Sequence, residues 1–439
     1  MADHGEGVDA APWWDVPYAP DGCDPEHTRF LRLHAAPERI PEGGVHATAV
    51  IMHGGYWKNK YGLDDAYGNA GTASLAPFFL SCGFAAVELE YRRRDHTGGG
   101  WPGTNEDILL ALRRLAGLQL EVGAETSAPR RAAAIQALTP DRLLLVGHSA
   151  GGCLALWAAH ELTEHGLQLE PESLRDIRRC CPEAPRQCPP QAAPPTGKSF
   201  VVEAEVASVR EEPRMDANEV GLLNHGESIC GELRDGWLHL DEASTEAHGL
   251  AAAAGACIPV DGAALGLGAL LRPNPAGTAC VARRRRCRQG FRVQAAAVLA
   301  LAPVADLVRG HEMRISDEGD AVELYMGSPP FEASRDDYAR ASPAELLPVS
   351  FPLLVAFGAD DKDVPPALVR GYAKVALESA PERVSVVEAI GADHFDVVNA
   401  SSAAWLEQIV PALAAIAKQE LSEEAAAALL GASALTLAP

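Results

Sequence analysis

The sequence predicts an α/β fold: a mostly parallel central sheet flanked by helices, with a small all-β domain inserted into it. Three observations predict it. Short apolar runs of buried-strand length (Thr48 to Met52, Arg142 to Val146, Gln294 to Leu301 and Phe351 to Phe357) each end in a turn or loop. The second of these enters Gly147-His148-Ser149-Ala150-Gly151 and then the helical run Cys153 to Ala159, a G-x-S-x-G placed between strand and helix. Between that helix and the strand at Gln294 lie roughly a hundred residues, far more than an ordinary connection holds.

Near the N-terminus, Trp13, Trp14 and Tyr18 either line a pocket or staple this segment to the core. The strand Thr48 to Met52 runs into His53-Gly54-Gly55-Tyr56-Trp57. Glycines there let main-chain N–H groups approach a substrate, and a tetrahedral intermediate needs two such donors. His53 is read as a brace for the turn, because in a serine hydrolase of this chain order the base follows the nucleophile. Glu90 to Arg94 is read as a strand, and Gly98-Gly99-Gly100-Trp101-Pro102-Gly103 as a glycine turn after it. Thr104 with Asp107 three residues on predicts a capping box that starts a helix through Leu115. Trp101 is either pocket wall or packing.

Ser149 is the candidate nucleophile. A tight strand-to-helix turn projects its hydroxyl from the sheet edge toward a helix N-terminus, and the N–H of Ala150 can meet a developing oxyanion. Downstream, the strand ending at Phe357 leads into Gly358-Ala359-Asp360-Asp361-Lys362-Asp363-Val364-Pro365. Asp361 is the preferred acid and Asp363 the alternative, since Val364-Pro365-Pro366 opens the next helix. The strand Arg383 to Glu388 is followed by a loop holding His394, and of the 14 histidines this one alone follows the acid.

The insert is entered through a proline-rich linker, 183–198, whose composition favours an extended spacer. Strand patterns follow at Phe200 to Val206, Val220 to Leu223, Ser228 to Leu233 and Gly236 to Leu240, so 199–290 is read as a small β-barrel. The core is divided accordingly into 1–182 and 291–418. Ala403 to Lys418 predicts an amphipathic helix, and 419–439 an Ala-rich tail, helical or frayed.

Gly-His-Ser-Ala-Gly-Gly, His-Gly-Gly-Tyr-Trp and the Gly358 to Pro365 turn resemble the α/β-hydrolase fold superfamily. Within it they resemble the HGGxW branch of kynurenine formamidase (arylformamidase) and related esterases, over about two thirds of the chain. The resemblance implies Ser149 as nucleophile, His394 as base and Asp361 as its orienter. It also implies N–H groups of Gly54, Gly55 and Ala150 as the oxyanion hole, and Tyr56, Trp57 and Trp101 as candidate pocket residues. Val209 to Pro213 with Asp235-Gly236-Trp237-Leu238 is similar to bacterial SH3 modules, which implies a protein or peptide ligand for the insert.

Composition agrees with an enzyme acting on a small ester or amide. Of 439 residues 47% are hydrophobic, ample for a core, and the net charge of -23 disfavours nucleic acid and anionic membrane surfaces. Arg283 to Arg286 is read as a solvated loop. The acidic start lacks the character of a signal peptide, and the ten cysteines, without C-x-x-C pairs, read as reduced thiols of a cytoplasmic protein. Cys180, Cys181 and Cys188 have no partner pair of metal-site spacing, so neither metal nor cofactor is expected. Two other functions compete: an idle hydrolase fold that acts through its insert as an interaction protein, and a serine peptidase.

Overall fold

The computed structural model of the chain describes residues 13–19, 24, 26–37, 44–64, 71–121, 129–169, 291–316 and 318–437, together with residue 212 and the strand residues of the insert. The chain forms two compact units, Met1–Cys181 with Phe291–Pro439, and Pro182–Gly290. In chain order the first unit begins with strands β1 (Trp13–Pro17), β2 (Phe30–His34), β3 (Thr48–Met52), β4 (Ala85–Glu90), β5 (Leu143–His148) and β6 (Leu167–Leu169). The second unit holds β7 (Lys198–Val202), β8 (Val206–Arg210), β9 (Glu219–Asn224), β10 (Ser228–Arg234), β11 (Trp237–Leu240), β12 (Cys257–Pro259) and β13 (Leu271–Pro273). The first unit resumes with β14 (Phe291–Val293), β15 (Ala295–Leu301), β16 (Leu353–Gly358) and β17 (Val384–Ala389). Its helices are α1 (Leu75–Ser81), α2 (Gly103–Glu121), α3 (Pro129–Gln136), α4 (Ala150–Glu164), α5 (Leu307–Glu312), α6 (Ala321–Met326), α7 (Arg335–Ala341), α8 (Pro366–Ser379), α9 (Val410–Glu420) and α10 (Glu423–Leu437).

The eight-stranded sheet runs β1-β2-β4-β3-β5-β15-β16-β17. Only β2 opposes its neighbours β1 and β4, and every other pair is parallel. With the serine directly after β5, this is the α/β-hydrolase arrangement. Strands β3, β4, β5 and β16 are buried along their whole length, as continuous apolar runs covered on both faces should be. The N-terminal aromatics staple the chain to this core. Tyr18 donates its hydroxyl to the Glu90 carbonyl at 2.8 Å, and the Arg32 guanidinium, held by Asp15 and Asp64, lies 3.9 Å over the Trp13 ring.

Three local expectations are corrected, and the first is the strand read over Glu90 to Arg94, which lies earlier, as β4, and ends at Glu90. No capping box forms at Thr104, because Asp107 instead grips Arg92 through two 2.8 Å hydrogen bonds to its guanidinium. The Thr104 hydroxyl receives the Gly100 N–H and donates to the Arg92 carbonyl, and α2 runs from Gly103 to Glu121. The helix expected over Ala403 to Lys418 opens as a π-helical segment, Ala404–Ile409, before α9. Pro411 lacks the N–H that an α-turn would give to the carbonyl of Glu407. Of the two readings of the tail the helical one is formed: it is α10, docked through Ala425, Ala426 and Leu429 and by a 2.8 Å bond from the Ser433 hydroxyl to the Leu406 carbonyl.

The second unit is an antiparallel seven-stranded sheet, ordered β13-β7-β10-β11-β12-β8-β9. The single strand expected over Phe200 to Val206 is two, β7 and β8, which are not neighbours. Arg234 pairs with Trp237 across an Asp-Gly connection, the dipeptide that two-residue hairpins favour. The linker up to residue 197, the three linker cysteines, the stretch Leu250 to Gly255 and Arg283 to Arg286 lie outside the described residues. Among the described residues no helix is long and apolar enough to cross a membrane.

Candidate active site

Ser149 sits between β5 and α4 with φ 56° and ψ -117°, a left-handed strain that a non-glycine residue holds only when its surroundings enforce it. They do so by backbone bonds. Its N–H donates to Leu301 at the end of β15 at 2.8 Å, and its carbonyl accepts from Gly152 at 3.0 Å and Val304 at 3.2 Å. A Cβ at Gly151 would lie 2.1 Å from the Met52 carbonyl oxygen and 2.4 Å from that of His53, so only glycine lets α4 start this close to β3. Of the first N–H groups of α4, those of Gly152 and Cys153 bond the Ser149 carbonyl, and a helix start leaves those of Ala150 and Gly151 without an intrahelical acceptor.

The loop after β3 meets the elbow at Gly54. A Cβ on Gly54 would fall 2.9 Å from both the His148 carbonyl oxygen and the Ser149 Cβ, which sets the closeness of this main chain to Ser149. His53 is the expected brace: it is fully buried, its Nδ1 lies 2.9 Å from the Gly54 carbonyl, and its ring stacks on Tyr91 at 4.4 Å. Behind it, Nε2 lies 3.3 Å from Glu90 Oε1, and Tyr91 donates to the His53 carbonyl at 2.6 Å.

Glu90 also pairs with Arg93 and accepts the Leu63 N–H at 2.7 Å. Burial pushes its carboxyl up, but His53, Arg93 and the Leu63 N–H together outweigh this and hold it below the usual carboxylate range.

The Gly358 to Pro365 turn and the loop of His394 follow two neighbouring parallel strands, β16 and β17, and come together. Asp361 Oδ2 is 2.7 Å from His394 Nδ1, while Asp361 Oδ1 accepts the N–H groups of Asp363 and Val364, each at 2.9 Å. Thus His394 meets Asp361 and not Asp363, and both partners are nearly fully buried. The side chain of His394 Nε2 and the Ser149 hydroxyl are not joined by a hydrogen bond among the described residues, and such contacts often tighten only with substrate in place.

The three expected pocket residues divide. Tyr56 donates its hydroxyl to the Asp363 carbonyl at 2.6 Å and so ties the glycine loop to the acid turn. Trp57 does not line an open pocket: its positive φ of 55° turns the indole into the core, where it is fully buried and stacked on Tyr325 at 4.1 Å. Trp101 packs edge-on against Trp157 at 6.0 Å and donates to Asp337 at 3.1 Å. A cavity of about 410 Å³ is lined by Gly71, Ala73, Ser74, Asp393, Phe395, Asp396 and Asn399, and none of Ser149, Asp361 and His394 is among its walls.

Two residues escaped the sequence reading. Glu90 sits in an apolar strand, where a carboxylate is itself a signal of buried partners. His148, the variable residue of G-x-S-x-G, is buried, and its Nε2 donates to the His394 carbonyl at 3.0 Å. Among the described residues no cluster of side chains suited to a metal ion occurs.

No family model and no curated protein matches the sequence. Among solved structures the chain is similar to a truncated carbohydrate esterase from gut microbiota, at 14% identity and a TM-score of 0.47, covering 97% of each chain. It is also similar to esterase B from Lactobacillus rhamnosis, at 14% identity and a TM-score of 0.47, covering 94% of this chain and 87% of that one. A third is an acetyl ester-xyloside bifunctional hydrolase from Caldicellulosiruptor lactoaceticus, at 12% identity and a TM-score of 0.43, covering 87% of each chain.

Proposed function

We propose that the chain is a serine hydrolase that cleaves a small ester or amide through an acyl-enzyme, of carboxylesterase or arylformamidase type. The observation that carries the reading is the buried 2.7 Å pair of Asp361 and His394, whose loop is bonded by His148, the residue just before a serine held at φ 56°. Asp361 holds the proton on His394 Nδ1, leaving Nε2 free to accept the Ser149 proton as the hydroxyl oxygen attacks the carbonyl carbon. The N–H groups of Gly54, Gly55 and Ala150 are the donors assigned to the oxyanion, each supplying about 3 kcal/mol. His394 then gives its proton to the departing alcohol or amine, and water, activated the same way, releases the acyl group.

The antiparallel insert is assigned, in the same proposal, to an SH3-like module with a protein or peptide ligand; half-buried Trp237, at the start of β11, is the feature that supports it. Hydrolysis of a small aryl acetate and of N-formylkynurenine, beside Ser149→Ala, tests the reading. Turnover lost in the variant by about 10³-fold or more supports it, and the ratio of the two rates ranks formamidase against esterase. Folded wild-type protein that matches the variant on both substrates refutes it and turns attention to the insert.

A further inference from the structure

We propose that His148 is a positioning residue for the catalytic base, an inference that rests on the serine-hydrolase reading above. His148 ends β5, a strand paired on both sides, with β3 and β15, and buried along its length. From that rigid point its Nε2 reaches the His394 carbonyl at 3.0 Å. A carbonyl oxygen only accepts, so Nε2 carries the proton in this contact. The imidazole of His148 also lies 4.5 Å from that of His394, tilted by 43°, and 6.0 Å from the Phe395 ring.

On its other side the same residue meets the oxyanion loop. A Cβ on Gly54 would come within 3.3 Å of His148 Nδ1 and 2.9 Å of its carbonyl oxygen. His148 therefore bonds the loop that carries the base, lies so near the Gly54 backbone that a methyl there would crowd its ring, and is covalently next to the nucleophile.

His394 has other anchors: Asp361 holds its ring, and the Asp360 N–H bonds the Ala392 carbonyl at 3.0 Å. Those contacts fix the loop to the acid strand. The bond from His148 alone among the contacts described here refers the loop to the nucleophile's own strand, where an error of about 1 Å is enough to slow the chemistry a hundredfold.

The test compares His148→Leu, which keeps bulk without a donor, with His148→Gln, whose amide reaches the place of Nε2. On an aryl acetate, Leu should lower kcat on the order of tenfold to a hundredfold with KM nearly unchanged, and Gln should restore most of it. Proton NMR supplies a reading that needs no substrate. The low-field resonance of the His394 Nδ1 proton, bonded to Asp361, should be sharp in wild type and Gln and broadened or lost in Leu. If Leu does not fold, His148→Asn replaces it, since its amide stops one bond short. A Leu or Asn variant with wild-type kcat and an unchanged resonance overturns the proposal, as does a Gln variant as slow as Leu. A wild type that shows the resonance yet hydrolyses no ester overturns the hydrolase reading and leaves the positioning to be judged on the resonance.

Discussion

Replacing Asp361 with asparagine separates orientation from stability in a way the geometry dictates. Oδ1 of Asp361 receives two backbone N–H groups, from Asp363 and Val364 at 2.9 Å, so in Asp361→Asn the amide oxygen must take that place. The amide nitrogen then faces His394 Nδ1 at the 2.7 Å position, donor toward ring. His394 answers by moving its proton to Nε2, which can no longer accept from Ser149. A base locked in the wrong tautomer loses about 10⁴-fold, or roughly 5.4 kcal/mol of transition-state stabilisation. Stability should barely move, because both backbone N–H groups keep an acceptor. Asp361→Ala strands both, at about 1–3 kcal/mol each, and should lower the melting temperature as well as the rate. The assay is kcat/KM on an aryl acetate with thermal unfolding of each variant in parallel. An asparagine variant within tenfold of wild type, or one destabilised as much as alanine, would refute the reasoning.

Other perturbations have defined outcomes. Glu90 is held below its ordinary pKa in the folded chain, so its stabilising contribution is full above the unfolded carboxylate value of 4.5 and is lost as pH falls through the folded one. Melting temperature should therefore drop below about pH 4.5. Glu90→Gln should cost about 3–5 kcal/mol at neutral pH by leaving Arg93 and His53 without their carboxylate, and should flatten that acid limb; an unchanged limb would contradict this. Gly54→Ala places a methyl 2.9 Å from a backbone oxygen and from the Ser149 Cβ, so the donor loop must back away. Its kcat should fall by about 10²–10³ while far-ultraviolet circular dichroism is unchanged, and full activity would show that this loop supplies no donor. Residues Leu169 and Phe291 are directly paired across β6 and β14, so the chain enters and leaves the insert from adjacent strands. Replacing 170–290 by a short turn should leave a folded protein with aryl-acetate turnover close to wild type, and loss of turnover from a folded deletion would tie the insert to catalysis.

Strands β3, β5, β15, β16 and β17 were legible because their buried residues stand in apolar runs, whereas β1 and β2 carry no such run and β4, with Glu88 and Glu90 inside it, was placed too late in the chain. Thr48 to Met52 matches β3 residue for residue, and the β15, β16 and β17 runs lie within two residues of their strands. The choice between Asp361 and Asp363 was not legible, since both follow one strand end and only the turn's curvature decides which carboxylate faces His394. Trp57 misled because its position beside the glycine loop suggests a pocket, whereas a positive φ rotates its side chain to the opposite face. Thr104 and Asp107 carried capping-box spacing, but a buried arginine competed for the carboxylate and won. His148 was hidden because its partner, the carbonyl of residue 394, is 246 positions away and has no side-chain signature.

The central claim is that Ser149 is a nucleophile activated by His394. Intact-protein mass spectrometry after reaction with an aryl phosphonate fluoride, followed by peptide mapping, tests it most directly. One phosphonyl adduct is expected, on the peptide containing Ser149, absent from Ser149→Ala and slowed strongly in His394→Ala, with hydrolysis lost in step with labelling. A folded wild type that stays unlabelled, or is labelled equally in the Ser149→Ala variant, would contradict it.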